Sequence, residues 1–243
     1  MVFLTATSGA ADATVGKIWN LVDWLILQWQ PSMELAGVIE VVGAFLCMVL
    51  AYLIGSVNFS ILLSKRIYGG DIRQYRTGNA DVTDVLLVYG KKAALLTLIC
   101  DAVKVVIAVW IGRLLWEHNG GALSGFFVVF GHMFPLYFRF KGGKGTLCMM
   151  AVAATLSPIT FLLLLVIFLI GAIGTRMMSF ASVMTAFLYP LVLQAFASRG
   201  LNVAMAVFTT AFVVGMHWGN LKLMQAGKEE KLELEELFSR KKR

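Results

Sequence analysis

Gly131-His132-Met133-Phe134-Pro135, followed four residues later by Phe140-Lys141-Gly142-Gly143-Lys144-Gly145, is the stretch that decides how this chain folds. An apolar segment runs into it, a basic glycine-rich turn follows, and apolar sequence resumes at once. The pattern is that of a chain leaving one membrane segment and entering the next. Three glycines allow a tight backbone turn with N–H groups pointing inward, a concavity suited to phosphate or carboxylate. Lys144 adds a point charge for the anion.

The rest of the composition agrees with a membrane setting. Of 243 residues, 59% are hydrophobic and 14% charged, against about 25% charged in soluble domains. A spanning helix needs about 20 mostly apolar residues. Stretches 36–57, 93–115, 122–138, 158–175, 178–198 and 201–218 qualify. Stretch 144–156 is shorter, and Ser157-Pro158 interrupts it, because proline starts helices well and breaks their interiors. The reading is therefore two antiparallel helices joined by a tight turn, in preference to one kinked helix across 146–175. The expected fold is an all-α integral membrane protein with about seven transmembrane helices, its N-terminus outside and its C-terminus cytoplasmic.

Three regions follow. Residues 1–35 form an N-terminal extension, and residues 1–15 lack the basic start and apolar run expected of a secretory signal. Within it, Trp19, Trp24 and Trp29 mark 15–30 as an outer-surface amphipathic helix or a short extra membrane segment. Residues 36–225 are the membrane domain. Residues 226–243 are a charged cytoplasmic tail with i,i+4 pairs such as Glu236 and Arg240, whose basic end suits anionic lipid.

A net charge of +7 does not point to nucleic acid, because its placement has a simpler cause. Lys65, Arg66, Arg73, Arg76, Lys91 and Lys92 share one loop region. Arg139, Lys141 and Lys144 share a second, Arg176 marks a third, and seven more basic residues lie from Lys222 onward. One topology puts all of these on the cytoplasmic side, as the positive-inside rule requires. Cys47, Cys100 and Cys148 sit in apolar runs without metal-ligand spacing, so no metal site and no cofactor are expected. Asp101 and Lys104, inside the second apolar span, read as a mutually neutralising i,i+3 pair facing the bundle interior, with direct substrate contact as the alternative.

At this point the motifs resemble a known family, the PlsY-type acyl-phosphate-dependent glycerol-3-phosphate acyltransferases of bacteria, from about residue 43 to about 230. The ordered blocks are Gly55-Ser56-Val57, Ser64-Lys65, Asp71-Ile72-Arg73, Thr77-Gly78-Asn79, Val82 to Leu86, Gly90-Lys91-Lys92, Asp101 with Lys104, and the Gly131 to Gly145 stretch. Arg176 with Ser179 and Ser182 is similar to the family's third motif, and His217 with Asn220, Gly227 and Glu229 to its C-terminal one. The resemblance implies acyl transfer from acyl phosphate to the 1-hydroxyl of glycerol 3-phosphate, giving lysophosphatidic acid and phosphate at the cytoplasmic face of the bacterial inner membrane. Acyl phosphate, glycerol 3-phosphate and the lipid bilayer are then the partners.

The resemblance also implies roles. Lys144, with Gly142, Gly143 and Gly145, binds a phosphate. Thr77 and Asn79 hydrogen-bond substrate phosphate or the reacting hydroxyl, and His217 and Asn220 hold glycerol phosphate. Arg73 reads as an anion ligand or a positive-inside anchor, Ser179 reaches the same pocket, and His132 serves in ligand contact or in bracing the loop. Asp84 falls among these residues. No His-x-x-x-x-Asp motif accompanies His132, since Tyr137 stands five residues on. In the family the substrate's own phosphate is thought to accept the proton.

The first motif departs from the family's Gly-Ser-Gly-Asn-x-Gly-Ala-Thr-Asn-x-x-Arg pattern. Thr77 keeps a hydroxyl, Asp81 replaces a glycine, Asp84 replaces an asparagine, and Leu87 stands where an arginine is expected. Each lost charge-assisted bond is worth roughly 1.5–3 kcal/mol, and Arg76 is a charge available to compensate. Trp218 and Gly219 replace an arginine and a glutamate after His217. These departures leave a non-catalytic or altered-specificity paralogue, or a small transporter, as alternatives to the acyltransferase.

Overall fold

The computed structural model describes residues 20–196 and 200–231. Ten helices follow in chain order: α1 (Leu21–Trp29), α2 (Met33–Ser56), α3 (Phe59–Ile67), α4 (Val82–Tyr89), α5 (Lys91–Met133), α6 (Thr146–Leu156), α7 (Pro158–Thr175), α8 (Met178–Phe196), α9 (Gly200–Met216) and α10 (Trp218–Gln225). Two short 3-10 turns, Ile72–Gln74 and Leu136–Phe138, tighten the loops, and no strand occurs among the described residues. Four helical stretches are long and apolar enough to cross a membrane: Met33–Ile67, Lys91–Phe138, Pro158–Thr175 and Met178–Phe196. The pair α9 and α10, meeting at 55°, makes a fifth if taken together.

The longest helix is a hairpin. Unbroken, the 43 residues of α5 would extend about 65 Å, roughly twice the hydrocarbon thickness of a bilayer. Trp116 (φ −144°) and Glu117 (φ 43°, ψ −131°) leave helical geometry and turn the chain back. The arms 91–115 and 118–133 then meet glycine to glycine. A Cβ on Gly112 would lie 2.4 Å from the Gly120 carbonyl oxygen, and one on Gly120 would lie 2.0 Å from that of Gly112. The second arm ends at Met133, short of the 138 expected from hydropathy, because Phe134 and Pro135 leave helical geometry before the Leu136–Phe138 turn.

Small residues let α2 press against the second arm of α5, the usual route to close packing where lipid removes the hydrophobic drive between helices. A Cβ on Gly55 would lie 2.2 Å from the Val128 oxygen, and one on Gly131 2.4 Å from that of Tyr52. The Tyr52 hydroxyl donates to the Phe134 carbonyl at 2.9 Å. Residue Ser157, extended at φ −152°, ψ 98°, ends α6 and caps α7, with Pro158 in the first turn of the new helix. The interior holds Val105, Val109, Met133, Met149, Leu164, Tyr189, Leu193 and Val213. Large apolar side chains such as Val41, Ile170, Ile173, Phe187 and Leu191 face outward. That inside-and-outside apolarity suits a lipid solvent.

Within the extension, α1 has nine residues, too few to span. It is tied down by Val22, which fills the notch that Gly43 leaves in α2: a Cβ on Gly43 would sit 2.5 Å from Val22 Cγ2. Trp24 and Trp29 are exposed. Trp19 and the tail pair Glu236 and Arg240 lie outside the described residues.

The Gly112–Gly120 contact makes a prediction. Gly112→Leu forces the hairpin arms apart at a cost of about 1–3 kcal/mol, read as a lower melting temperature of the purified protein in detergent; unchanged melting contradicts the close approach.

Candidate functional site

The site is built on a buried lysine. Lys104, on the first arm of α5, is 4% exposed. Its ammonium donates to the Val57 carbonyl at 2.6 Å and the Gly55 carbonyl at 3.3 Å, where α2 ends and the chain bends into α3. Its third hydrogen bond runs to His132 Nδ1 at 3.0 Å, on the second arm. The Asp101 carboxylate lies 2.6 Å away, as the i,i+3 reading expects. All three ammonium protons are committed elsewhere, so the carboxylate is held by charge: neither Asp101 oxygen has an aligned hydrogen bond among the described residues. Asn58 caps α3 by accepting from the Ile61 N–H at 3.1 Å and approaches His132 Nδ1 at 3.5 Å. In a neutral imidazole whose Nδ1 accepts from lysine, the proton sits on Nε2.

His132 is thereby a brace for the loop, one of the two roles read for it from the sequence. Its carbonyl accepts the Gly143 N–H at 3.3 Å, and the Met133 carbonyl accepts the Gly142 N–H at 3.1 Å. The Lys144 N–H donates to Asp81 Oδ1 at 2.7 Å, and the Ala80 N–H donates to the Gly142 carbonyl at 3.3 Å. The expected cradle of open amides at Gly142 and Gly143 is therefore closed by the protein itself. Glycine is required at these positions for close approach. A Cβ on Gly142 would lie 2.0 Å from the His132 oxygen, and one on Gly143 2.6 Å from His132 Nε2. Gly145, at φ 85°, then starts α6 without a side-chain cap. The first-turn amides of α6 and the Lys144 ammonium are what remain for an anion.

Across from this loop lies the segment 71–84. Arg73 uses four of its five N–H donors on the protein: two on Asp71 (3.0 and 2.8 Å) and one each on the carbonyls of Phe138 (2.9 Å) and Lys141 (3.0 Å). It rivets the two loops together. The Arg73 guanidinium in turn holds the Asp71 carboxyl far below the usual carboxylate range. The Thr77 hydroxyl donates to Asp84 Oδ2 and accepts from Asn79 Nδ2 at 3.0 Å. Arg76 pairs with Asp84 at 3.6 Å and with Glu230, so it offsets the charge that Asp84 introduces. Burial pushes the Asp84 carboxyl above the ordinary range, against the pull of Thr77, Lys144 and Arg76. Burial pushes Asp81 the same way, against Lys144.

The third wall is the junction of α9 and α10. His217 is buried, and its Nδ1 lies 2.8 Å from the Val213 carbonyl. A carbonyl only accepts, so Nδ1 carries the proton and Nε2 is left as an acceptor. Asn220 Nδ2 donates to Glu229 Oε1 at 2.9 Å, which folds the segment after Gly227 back over α10. Lys144 lies within electrostatic range of Asp81, Asp84 and His217. Thus Thr77, Asn79, Asp84, Lys144 and His217 share one region. Ser179 is buried near the start of α8, with no hydrogen bond tying its side chain to the others among the described residues. Sequence reading passed over the brace at Asn58 and the pairing role of Glu230. The sole signal for the first was its position as a helix cap, Asn58 ahead of Phe59-Ser60-Ile61.

With this geometry in place, the chain belongs to the glycerol-3-phosphate acyltransferase family, whose model matches residues 45–227. The match begins inside α2, so α1 lies ahead of it. A glycerol-3-phosphate acyltransferase of Thermoanaerobacter pseudethanolicus is 35% identical over 189 residues, covering 78% of this chain and 96% of that protein. One from Dechloromonas aromatica is 36% identical over 189 residues, covering 77% and 95%. Among solved structures, PlsY (YgiH), an integral membrane glycerol 3-phosphate acyltransferase, aligns in its glycerol 3-phosphate form with a TM-score of 0.76 at 28% identity, covering 81% of this chain and 99% of that one. Its lysophosphatidic acid form aligns with a TM-score of 0.73 at 27% identity, covering 80% and 98%.

Asp81 ties the Lys144 amide to the first loop. Asp81→Ala removes the acceptor for the Lys144 amide at a cost of about 1–3 kcal/mol. Hydrogen exchange at the 142–145 amides then speeds up relative to wild type; unchanged protection contradicts the clamp.

Proposed function

We propose that this protein transfers an acyl group from acyl phosphate to the 1-hydroxyl of glycerol 3-phosphate, releasing lysophosphatidic acid and phosphate. The observation that carries the reading is Lys144. Its ammonium stands at the head of α6 with no carboxylate within ion-pair distance among the described residues, and Asp81, Asp84 and His217 surround it electrostatically. A cation kept unpaired beside a helix N-terminus is ready for a phosphate dianion.

The donor is already activated, so the protein's work is to position two substrates and stabilise charge on the leaving phosphate. Lys144 and the first turn of α6 take the phosphate of the donor. Thr77 and Asn79 bind at the reacting hydroxyl, His217 Nε2 accepts from a hydroxyl of the glycerol phosphate, and Asn220 helps to hold that substrate. Gly142, Gly143 and Gly145 act by bringing the backbone close, and Ser179 completes the wall. The donor enters sideways from lipid, and the soluble dianion enters from the cytoplasm, steered by the basic loops. In this arrangement seven helical segments cross the bacterial plasma membrane, with the N-terminus outside and the site and tail in the cytoplasm. Helix α1 rests at the outer interface on its tryptophans.

The test is direct. Purified protein given palmitoyl phosphate and glycerol 3-phosphate is expected to release phosphate and lysophosphatidic acid in equal amounts. Folded protein that binds acyl phosphate and forms neither product contradicts the reading. Lys144→Ala is expected to lower kcat/KM by about 10²–10³-fold, and unchanged turnover in that variant removes the anion site from the mechanism.

A further inference from the structure

We propose that Glu230 is a displaceable latch: the segment 227–231 closes over the site by placing this carboxylate on Arg76, and a substrate phosphate takes the carboxylate's place on the guanidinium. The inference rests on the acyltransferase reading above and adds to it a gate and one further anion ligand, Arg76.

The direction of the segment is set by its backbone. Gly227, at φ 66°, donates its N–H to the Met224 carbonyl at 3.0 Å, and the Lys228 N–H donates to the Leu223 carbonyl at 2.8 Å. These two bonds end α10 in the left-handed turn that glycine favours and turn the chain back. Two carboxylates then fasten it. Glu229 Oε1 accepts from Asn220 Nδ2 at 2.9 Å, on the wall that holds His217. Glu230 Oε2 accepts from Arg76 Nη2, on the loop that holds Thr77. The segment thus bridges two walls of the site.

The two carboxylates on Arg76 are held unequally. Asp84, 3.6 Å from Nε, is buried and also accepts the Thr77 hydroxyl. Glu230 has 69% of its side chain exposed. An exposed ion pair contributes little to stability, so Glu230 is the partner that an incoming anion displaces. A phosphate offers the planar guanidinium two parallel hydrogen bonds, where Glu230 offers one oxygen. Arg76 itself lies in left-handed backbone at φ 46°, which a non-glycine residue adopts only where its surroundings hold it there.

Charge gives the gate a purpose. With the latch closed, Arg76 stands between two carboxylates, and Lys144 has Asp81 and Asp84 within electrostatic range. A dianion approaching Lys144 meets this excess of negative charge. Displacing Glu230 lowers the excess and uncovers a second cation for the phosphate.

Glu230→Ala removes the latch and leaves the residues proposed to hold substrate untouched. The expected result is a KM for glycerol 3-phosphate, for palmitoyl phosphate or for both about two- to fivefold below wild type, the order that an exposed ion pair contributes, with kcat and the melting temperature close to wild type. The KM that falls names the substrate whose phosphate displaces Glu230. Unchanged KM for both substrates overturns the proposal, and so does a raised KM for either. Arg76→Gln is expected to raise the same KM and to abolish the effect of Glu230→Ala in the double variant; an effect that persists without Arg76 overturns the pairing.

A second readout is independent of turnover: trypsin cleavage after Lys228, followed by mass spectrometry. In wild type it is expected to speed up when glycerol 3-phosphate, palmitoyl phosphate or inorganic phosphate is added and to ignore glycerol; in Glu230→Ala it is fast without ligand. Cleavage that slows or stays constant with all three phosphates overturns the latch. Wild-type protein that forms no lysophosphatidic acid sinks the acyltransferase reading, and the cleavage response to inorganic phosphate then decides the latch by itself.

Discussion

Everything at the site depends on one buried ammonium. Lys104 gathers the Gly55 and Val57 carbonyls at the end of α2, the Asp101 carboxylate on its own helix and the imidazole of His132 on the returning arm. Three chain segments that apolar packing alone would leave free to slide are fixed in register by this contact. A charge so deep in an apolar bundle is costly unless paired and hydrogen-bonded, and here each of its protons has an acceptor. The Val57 carbonyl, at the bend between α2 and α3, lies beyond the last turn of α2, and Lys104 supplies its donor. His132 carries the order outward, because its backbone and ring form the surface on which Gly142 and Gly143 lie.

From that surface the arrangement spreads by loop-to-loop contacts. Asp81 takes the Lys144 amide, and Arg73 binds carbonyls on both sides of the 139–140 bend. Arg139 and Phe140 themselves adopt left-handed backbone, at φ 58° and 56°, which non-glycine residues accept only where surroundings insist. Lys144 escapes pairing because its neighbours are engaged elsewhere: Asp81 with a backbone amide, Asp84 with Thr77 and Arg76. The loops that resemble an open phosphate cradle in sequence are thus closed on themselves, and they present the Lys144 side chain and the N-terminus of α6.

How much of this was legible in the sequence differs by residue type. Apolar length marked the helices, and Ser157-Pro158 marked the break between α6 and α7, because proline has one acceptable helical position. The Asp101 and Lys104 pair was legible from their spacing on a helix. The Gly112 and Gly120 contact was not, since two glycines eight residues apart become neighbours only once Trp116 and Glu117 reverse the chain. The glycine turn was misread in its mechanism: a sequence reveals that glycine is needed, but the same residue serves an open amide nest and a close backbone approach. Arg73 was ambiguous for a similar reason, because a basic loop residue looks alike whether it faces a ligand or a neighbouring carbonyl. The sharing of Arg76 between Asp84 and Glu230 joins residues 154 positions apart and required the fold.

The most direct test of the account removes the central charge without changing its bulk. Lys104→Met leaves Asp101 buried and unpaired, at a cost of about 3–5 kcal/mol, and Lys104→Met with Asp101→Asn removes that burden. The account predicts that the single variant melts well below wild type and that the double variant recovers much of the melting temperature. It also predicts that neither binds glycerol 3-phosphate with wild-type affinity in calorimetry, because the α2 carbonyls and His132 have lost their donor. Wild-type affinity in the double variant would contradict the claim that Lys104 sets the geometry of the site.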